Sequence, residues 1–351
     1  MACSWTKLLL FSCTLLFLSQ RWWLPLLGLF INLASLPGRW HRSASQSYIS
    51  HEQDNFDVTF ASYGANQTTA GPQYEDLVPP ILHHISLGPN PPREEWVAAR
   101  AECIKYHGHW KAFLWEDGNA EEFVASEFPH LKHVWDSYRY PVERVDALRY
   151  MVLHKHGGVV LDFDLTCKRS LGPLRRFDFV APAAHPTGFS VGFMMASPEN
   201  SFVRSLVDNL AAYNRSWFFL PYVTVMFSTG CHYASTIFTL QQSRTAIRIL
   251  GGIENNRRLH MLNGFVDTPL FRHLGSSSWH SSDAFLINSL GHPRKGPIIV
   301  LVVVVSFLTG SLLAICFACR HHRKRCSNHP SRKRKFWSGH VEDDVDSIKE
   351  A

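Results

Sequence analysis

The chain has 351 residues, 46% of them hydrophobic, a formal net charge of +6 and eight cysteines. That composition excludes a disordered or low-complexity chain, and the middle is long enough to bury a sizeable core. It also excludes a disulfide scaffold: five cysteines lie in or beside apolar terminal segments, and the remaining Cys103, Cys167 and Cys231 allow one bridge at most.

From Leu8 to Leu36 the sequence is almost uncharged, broken only by "QRWW" at 20–23, and Lys7 precedes the run. A cleaved signal peptide and an uncleaved anchor share this start; the continuation through "LPLLGLFINLASL" favours the anchor, so residues 1–39 are assigned to a membrane segment. Residues 40–78 are polar and rich in Ser, Gln, Asn and Gly, which predicts a lumenal stem. The globular domain is expected over 79–292.

"ILHHISLG" (81–88) reads as a first strand ending in a Pro-rich turn, and Arg93 to Tyr106 as a helix with Trp96, Ala99 and Cys103 on one face. "HWKAFLWED" (109–117) is a second strand, followed by helical stretches from Ala120 to Ser126 and from His130 to Tyr138. From Val142, the residues Val145, Leu148, Arg149, Val152 and His156 recur at helical spacing, until Gly157 and Gly158 supply a left-handed end. "VVLDF" is then a short buried strand with carboxylates at its C-terminal end. Strands at 177–183 and 190–197 and a helix from Glu199 to Tyr213 complete the pattern. Alternating strands and helices predict an α/β fold with a largely parallel sheet, in which ligands bind at the carboxyl ends of the strands.

Residues 296–319, "GPIIVLVVVVSFLTGSLLAICFAC", contain no charge. At ~1.5 Å per residue they reach roughly 35 Å, enough for a transmembrane helix. Eight Lys or Arg follow between Arg320 and Lys335, in a tail (320–351) that is basic and then acidic. The positive-inside rule puts this tail in the cytosol and the middle region in the lumen. The same run accounts for the net charge, and beside a membrane helix it is a topology signal, so no nucleic-acid partner is implied. The sequons Asn66-Gln67-Thr68 and Asn214-Arg215-Ser216 agree with a lumenal middle. Cys316 and Cys319, inside the apolar run, fit juxtamembrane palmitoylation better than zinc.

Asp162 and Asp164 are the chemically pointed feature. A D-x-D triplet alone means little, since roughly one arises by chance in a chain this long, and Asp344-Val345-Asp346 in the tail is a second. Context separates them: two carboxylates ending an apolar strand repel each other unless a cation neutralises them. Hard oxygen donors of this kind suit Mg²⁺ or Mn²⁺, which keep phosphate oxygens as further ligands, and in a lumenal domain that points to nucleotide-sugar chemistry.

"RVDALRYMVLHKHGGVVLDFD" resembles the S-D-x-x-R-Y-x-x-L-x-x-x-G-G-x-Y-x-D-x-D block of glycosyltransferase family 32. Asp146, Arg149, Tyr150, Leu153, Gly157, Gly158, Asp162 and Asp164 fall on its positions, while Val145 replaces Ser and Val160 replaces Tyr. "ILHHISLG" is similar to the family's opening strand, with Ser86 in place of Trp. "LPYVTVMFSTG" (220–230) and "LGSSSWHSSD" (274–283) resemble stretches of the fungal mannosyl-inositol-phosphorylceramide synthases, with Cys231 where Pro is expected.

The resemblance implies a GT-A-type, Rossmann-like domain flanked by membrane helices, and a retaining, metal-dependent enzyme. By position, Asp164 and Asp162 would be the catalytic metal-binding pair, with Mn²⁺ or Mg²⁺ as cofactor. Asp162, Asp146, Arg149, Tyr150, Gly157 and Gly158 would bind the donor, and His280 would add a metal or diphosphate ligand. A solvent-exposed ion pair is the plain alternative for Asp146 and Arg149. The implied reaction is mannose transfer from GDP-mannose to inositol phosphorylceramide in sphingolipid biosynthesis at the Golgi (or ER-Golgi) membrane, with a small membrane regulatory subunit as a possible partner. A mannosyltransferase acting on protein N-glycans and a non-catalytic membrane receptor or subunit are the alternatives.

Overall fold

The computed structural model describes residues 21, 24–275, 283–284 and 309–310. The chain divides into two units, Met1–Ile287 and Asn288–Ala351. In the second, only residues 309–310 are described, and they are helical. The fold below is that of the first unit.

A six-stranded sheet has the order β2-β1-β3-β6-β5-β7, with β1 at Ile81–Ile85, β2 at Lys111–Trp115, β3 at Gly158–Leu161, β5 at Phe179–Pro182, β6 at Phe193–Ala196 and β7 at Ile247–Leu250. A small second sheet, β4-β9-β8, joins β4 (Leu165–Cys167), β9 (Phe271–Leu274) and β8 (Phe265–Asp267). Successive residues of the central strands enter opposite cores: Val159 and Leu161 pack with Leu82 and Phe193, whereas Val160 packs with Leu148 and Val152. Burial on both faces explains why these strands read as continuous apolar runs.

The sheet is mixed rather than largely parallel. β1 pairs in parallel with β2 and β3, and β5 with β7, but β6 runs antiparallel to both β3 and β5. The reason is local: after β5 the chain turns back through the Ala183–Phe189 bridge, and β6 returns beside its predecessor before filling the place next to β3.

The segment expected as a stem, 40–78, is instead part of the domain. Trp40, Ile49, Phe56, Val58, Phe60 and Val78 are buried, Ile49 N donates to Ile249 O at 2.9 Å, and Arg248 pairs with Asp54 at 2.9 Å. A few large apolar side chains anchor a polar stretch, and averaged composition hides them. The end of the expected membrane segment 1–39 also belongs here. The helical stretch 24–34 (α1) and α2 (Leu36–Ser43) bury Leu33 and Leu36, and His232 Nε2 lies 2.8 Å from Leu33 O. Among the described residues no helix is long and apolar enough to cross a membrane. The proposed span 296–319 (apart from 309–310), the tail and the first part of 1–39 lie outside the described residues.

The remaining helices are α3 (His51–Asp54), α4 (Glu94–Tyr106), α5 (Asp117–Glu127), α6 (Lys132–Ser137), α7 (Pro141–His156), α8 (Ser201–Tyr213), α9 (Pro221–Ser228) and α10 (Cys231–Leu240). A disulfide between Cys103 on α4 and Cys167 on β4 ties the first helix after β1 to the small sheet. Cys231 stays free and opens α10 at its first position, where Pro is also favoured, so its replacement of Pro leaves the turn intact.

Candidate active site

Helix α7 and strand β3 build the site. Pro141 starts the helix, and Tyr140 N donates to Glu143 Oε2 at 3.0 Å. Nine of its residues, from Glu143 and Asp146 through Leu153, are buried, so α7 is a core helix whose charged members must find partners inside. At its end Gly157 and Gly158 have φ of +64° and +96°, and a Cβ on Gly158 would lie 2.7 Å from Ile81 O. The turn therefore brings β3 directly beside β1 and delivers Asp162 and Asp164 at the far end of the strand.

There the charges interlock. The guanidinium of Arg149 forks, Nη1 donating to Asp146 Oδ1 and Nη2 to Asp162 Oδ1. Asp146 also accepts from Thr229 Oγ1 at 3.2 Å, and Tyr150 OH donates to Thr229 O. The side chains of Arg149 and Asp146 are 9% and 4% exposed, which rules out a solvated surface pair. A buried bidentate guanidinium of this kind fixes carboxylate orientation as well as balancing charge.

Asp164, buried like Asp146, lies 3.3 Å through Oδ2 from His273 Nε2 on β9, and Leu274 N donates to Asp164 O at 2.8 Å. Burial works against a charged His273, but its contact with Asp164 and its bond to Gly264 O raise its pKa on balance. Asp162 is pushed up to about 7 by burial, against the pull of Arg149 and with the help of Asp164 and Asp146. A third of its side chain faces solvent, and water moderates that shift.

The donor set suits a divalent cation. Two carboxylates one residue apart offer hard oxygens, and Asp146, Asp162 and Asp164 outnumber the one permanent positive charge, Arg149. Gly192 leaves the Asp162 carboxylate clear: a Cβ at that position would lie 2.6 Å from Asp162 Oδ2. Among the described residues no three His, Cys, Asp or Glu side chains converge as a complete metal cage, so water and phosphate oxygens would supply the remaining ligands. His280, expected as a further ligand, lies outside the described residues.

Asp146, Arg149, Asp162 and Asp164 thus come together, whereas three expected donor-binding residues take other work. Gly157 and Gly158 are buried at the opposite end of β3, with Gly158 four residues and roughly 13 Å from Asp162; they shape the turn. Tyr150 is fully buried and braces Thr229 instead of facing a ligand. Sequence reasoning missed Gly192, Thr229 and His273 as members of the site. Gly192 sat unremarked in a strand, Thr229 inside a family-like stretch, and His273 was one of 20 histidines with no local pattern.

Residues 93–180 match the family model described as a glycosyltransferase sugar-binding region containing a DXD motif. The mannosyl phosphorylinositol ceramide synthase SUR1 of Saccharomyces cerevisiae is 32% identical over 253 residues, 71% of this chain and 64% of that one. CSH1 of the same yeast is 32% identical over 67% of this chain and 60% of its own. Inositol phosphoceramide mannosyltransferase 3 of Schizosaccharomyces pombe is 33% identical over 61% and 60%. The chain spans a little under two thirds of these relatives' length. Among solved structures, PaToxG glycosyltransferase aligns over 61% of this chain and 80% of that one at 14% identity, with a TM-score of 0.39, too slight a likeness to define the fold. Residues 93–180 thus carry the DXD-containing sugar-binding region of a glycosyltransferase, and the chain is similar to the fungal ceramide mannosyltransferases.

Proposed function

We propose that this chain is a metal-dependent retaining mannosyltransferase of GT-A type that transfers mannose from GDP-mannose to inositol phosphorylceramide. The observation that carries the reading is the buried Asp146–Arg149–Asp162 fork beside Asp164 at the end of β3. The names of the fungal relatives support the acceptor class.

A divalent cation, Mn²⁺ or Mg²⁺, would neutralise negative charge on the departing diphosphate. Asp164 and Asp162 would hold that cation. Arg149, locked by Asp146, sets the position of the Asp162 carboxylate and contributes a fixed positive charge beside the donor. Thr229 and Tyr150 keep Asp146 from turning away. His273 orients Asp164. The chain is read as anchored in the Golgi membrane with this domain lumenal; the Cys103–Cys167 disulfide supports an oxidising compartment.

The test uses full-length protein in detergent with Mn²⁺, a panel of GDP-, UDP- and CMP-sugars, and inositol phosphorylceramide or a mannose oligosaccharide as acceptor. Metal-dependent mannose transfer to the sphingolipid is the expected result. Transfer to the oligosaccharide alone would overturn the acceptor, and turnover with a UDP-sugar alone would overturn the donor.

A further inference from the structure

The last described turns of the N-terminal apolar run and a distant aromatic turn share one surface. Leu24, Leu26, Leu27, Phe30 and Ile31 of α1 are all exposed, an unusual concentration for a soluble face. Phe218, 57% exposed, meets Phe30 edge-on with ring centroids 5.8 Å apart, and Phe219 is 86% exposed. A groove of about 480 Å³ runs between them, lined by Leu26, Leu27, Phe30, Trp217 and Phe218 with Arg215 at its side.

The turn is held in place, not loose. Trp217 is buried, donates through Nε1 to Tyr213 O at 3.2 Å and packs against Phe227 at 5.8 Å. Yet Phe218 and Phe219 both have positive φ, 53° and 56°, a left-handed conformation that residues other than glycine seldom adopt. Two adjacent phenylalanines are thus held in an unfavourable backbone state and presented outward.

We infer that α1 and the Trp217–Phe219 turn form one bilayer-facing surface that seats lipid acyl chains in its groove, with Arg215 placed for the headgroup phosphate. Three observations select a lipid bilayer as the occupant. In sequence α1 follows, three residues after Arg21, the apolar run that starts at Leu8, so its exposed face lies near whatever that run enters. Phe and Leu side chains are those that an interfacial surface lays into the boundary between headgroups and acyl chains. Arg215 pairs with no carboxylate among the described residues and spends one contact, at 3.3 Å, on Ala212 O. The surface is also close to the chemistry: α9 starts just after the turn and ends at Ser228, beside the Thr229 that holds Asp146, a helix of eight residues or roughly 12 Å. A lipid acceptor could thus keep its tails in the bilayer while its headgroup approaches the carboxylates. Asn214, the neighbouring sequon asparagine, donates its amide to Ser137 Oγ at 2.7 Å.

The inference rests on the membrane-anchored reading; its crosslinking test does not depend on the sugar or acceptor, whereas its kinetic test also rests on a lipid acceptor. It is tested by placing benzoylphenylalanine at position 219 of the full chain, in nanodiscs of phosphatidylcholine doped with phosphatidylinositol. Irradiation is expected to yield a lipid adduct at 219 and none at the exposed control position Lys105. A chain that enters nanodiscs without a lipid adduct at 219, or that crosslinks there to a second copy, would overturn the surface alone. A chain that does not enter nanodiscs would overturn the anchored reading with it. In a transfer assay F218S/F219S is expected to raise the apparent KM for bilayer-presented lipid by about tenfold or more with kcat unchanged, the lost burial of two Phe side chains; an unchanged KM would count against the surface.

Discussion

His273 on β9 sets Nε2 3.3 Å from Asp164 Oδ2, so the small sheet β4-β9-β8 exists in part to bring a late histidine to the D-x-D aspartate. A hydrogen-bonded histidine behind a ligating carboxylate orients the ligand and tunes its affinity for a cation. His273→Ala is expected to weaken Mn²⁺ activation by about 10-fold or more. His273→Gln, which keeps a donor at that place, should recover part of the loss. Titration of Mn²⁺ against transfer rate, with thermal unfolding as a control for folding, checks both.

Gly192 offers a change that touches the site without touching the core. A Cβ there would meet Asp162 Oδ2 at 2.6 Å, so Gly192→Ala must displace the carboxylate or the strand end. Activity should fall by about 100-fold, the scale expected when a reacting geometry shifts by an ångström. Melting temperature should change little. Equal activity in the variant would mean that Asp162 has no fixed role.

Removing Arg149 strands two carboxylates. With Asp146 buried and Asp162 partly so, Arg149→Ala should cost about 3–5 kcal/mol of stability, as loss of one partner from a buried pair does. In Arg149→Ala/Asp146→Ala a large part of that loss should return, because one of the two stranded charges has gone. Denaturant unfolding of the two variants measures the difference.

The Cys103–Cys167 disulfide spans 64 residues of sequence. Constraint of the unfolded chain over such a loop is worth about 4 kcal/mol. Replacing both cysteines by serine should lower the unfolding midpoint accordingly, and reductant should lower that of the native protein to the same value and leave the variant unchanged.

Acid should weaken the domain through its four deeply buried histidines, against the opposing effect of Asp162, which at about 7 takes up its proton first in the fold. Burial holds His83, His107 and His260 down at about 4 and His84 at about 3, where unfolded histidine titrates near 6.5. Between those values the unfolded chain binds more protons than the folded one, so stability is full above about pH 6.5 and is lost as pH falls toward 4. Each group contributes at most roughly 1.4 kcal/mol per pH unit in that window. Melting temperature should drop steadily from pH 7 to pH 4.5, and less steeply in a His260→Gln variant.

Local pattern made much of this domain readable. The strands at Ile81–Ile85, Lys111–Trp115, Gly158–Leu161, Phe179–Pro182 and Phe193–Ala196, and helix α7 with its glycine end, follow from period, capping and backbone freedom within a few residues. The placing of Asp146, Arg149, Asp162 and Asp164 was also legible, because a helix, a glycine turn and a strand in fixed spacing carry them to one end of the sheet.

Folding alone decided what depends on distant partners. The sequence by itself determined a carboxylate pair at a strand end and a helix bearing Asp146 and Arg149, since neighbours along the chain set those geometries. Only the tertiary structure inserted β6 antiparallel between β3 and β5, drew Phe56 and Phe60 of the polar 40–78 stretch into the core, and joined Cys103 to Cys167. It alone brought Thr229 to Asp146, Gly192 to Asp162 and His273 to Asp164. No local preference encodes such contacts; each arises where packing of the whole domain offers a buried polar group a partner that water can no longer supply.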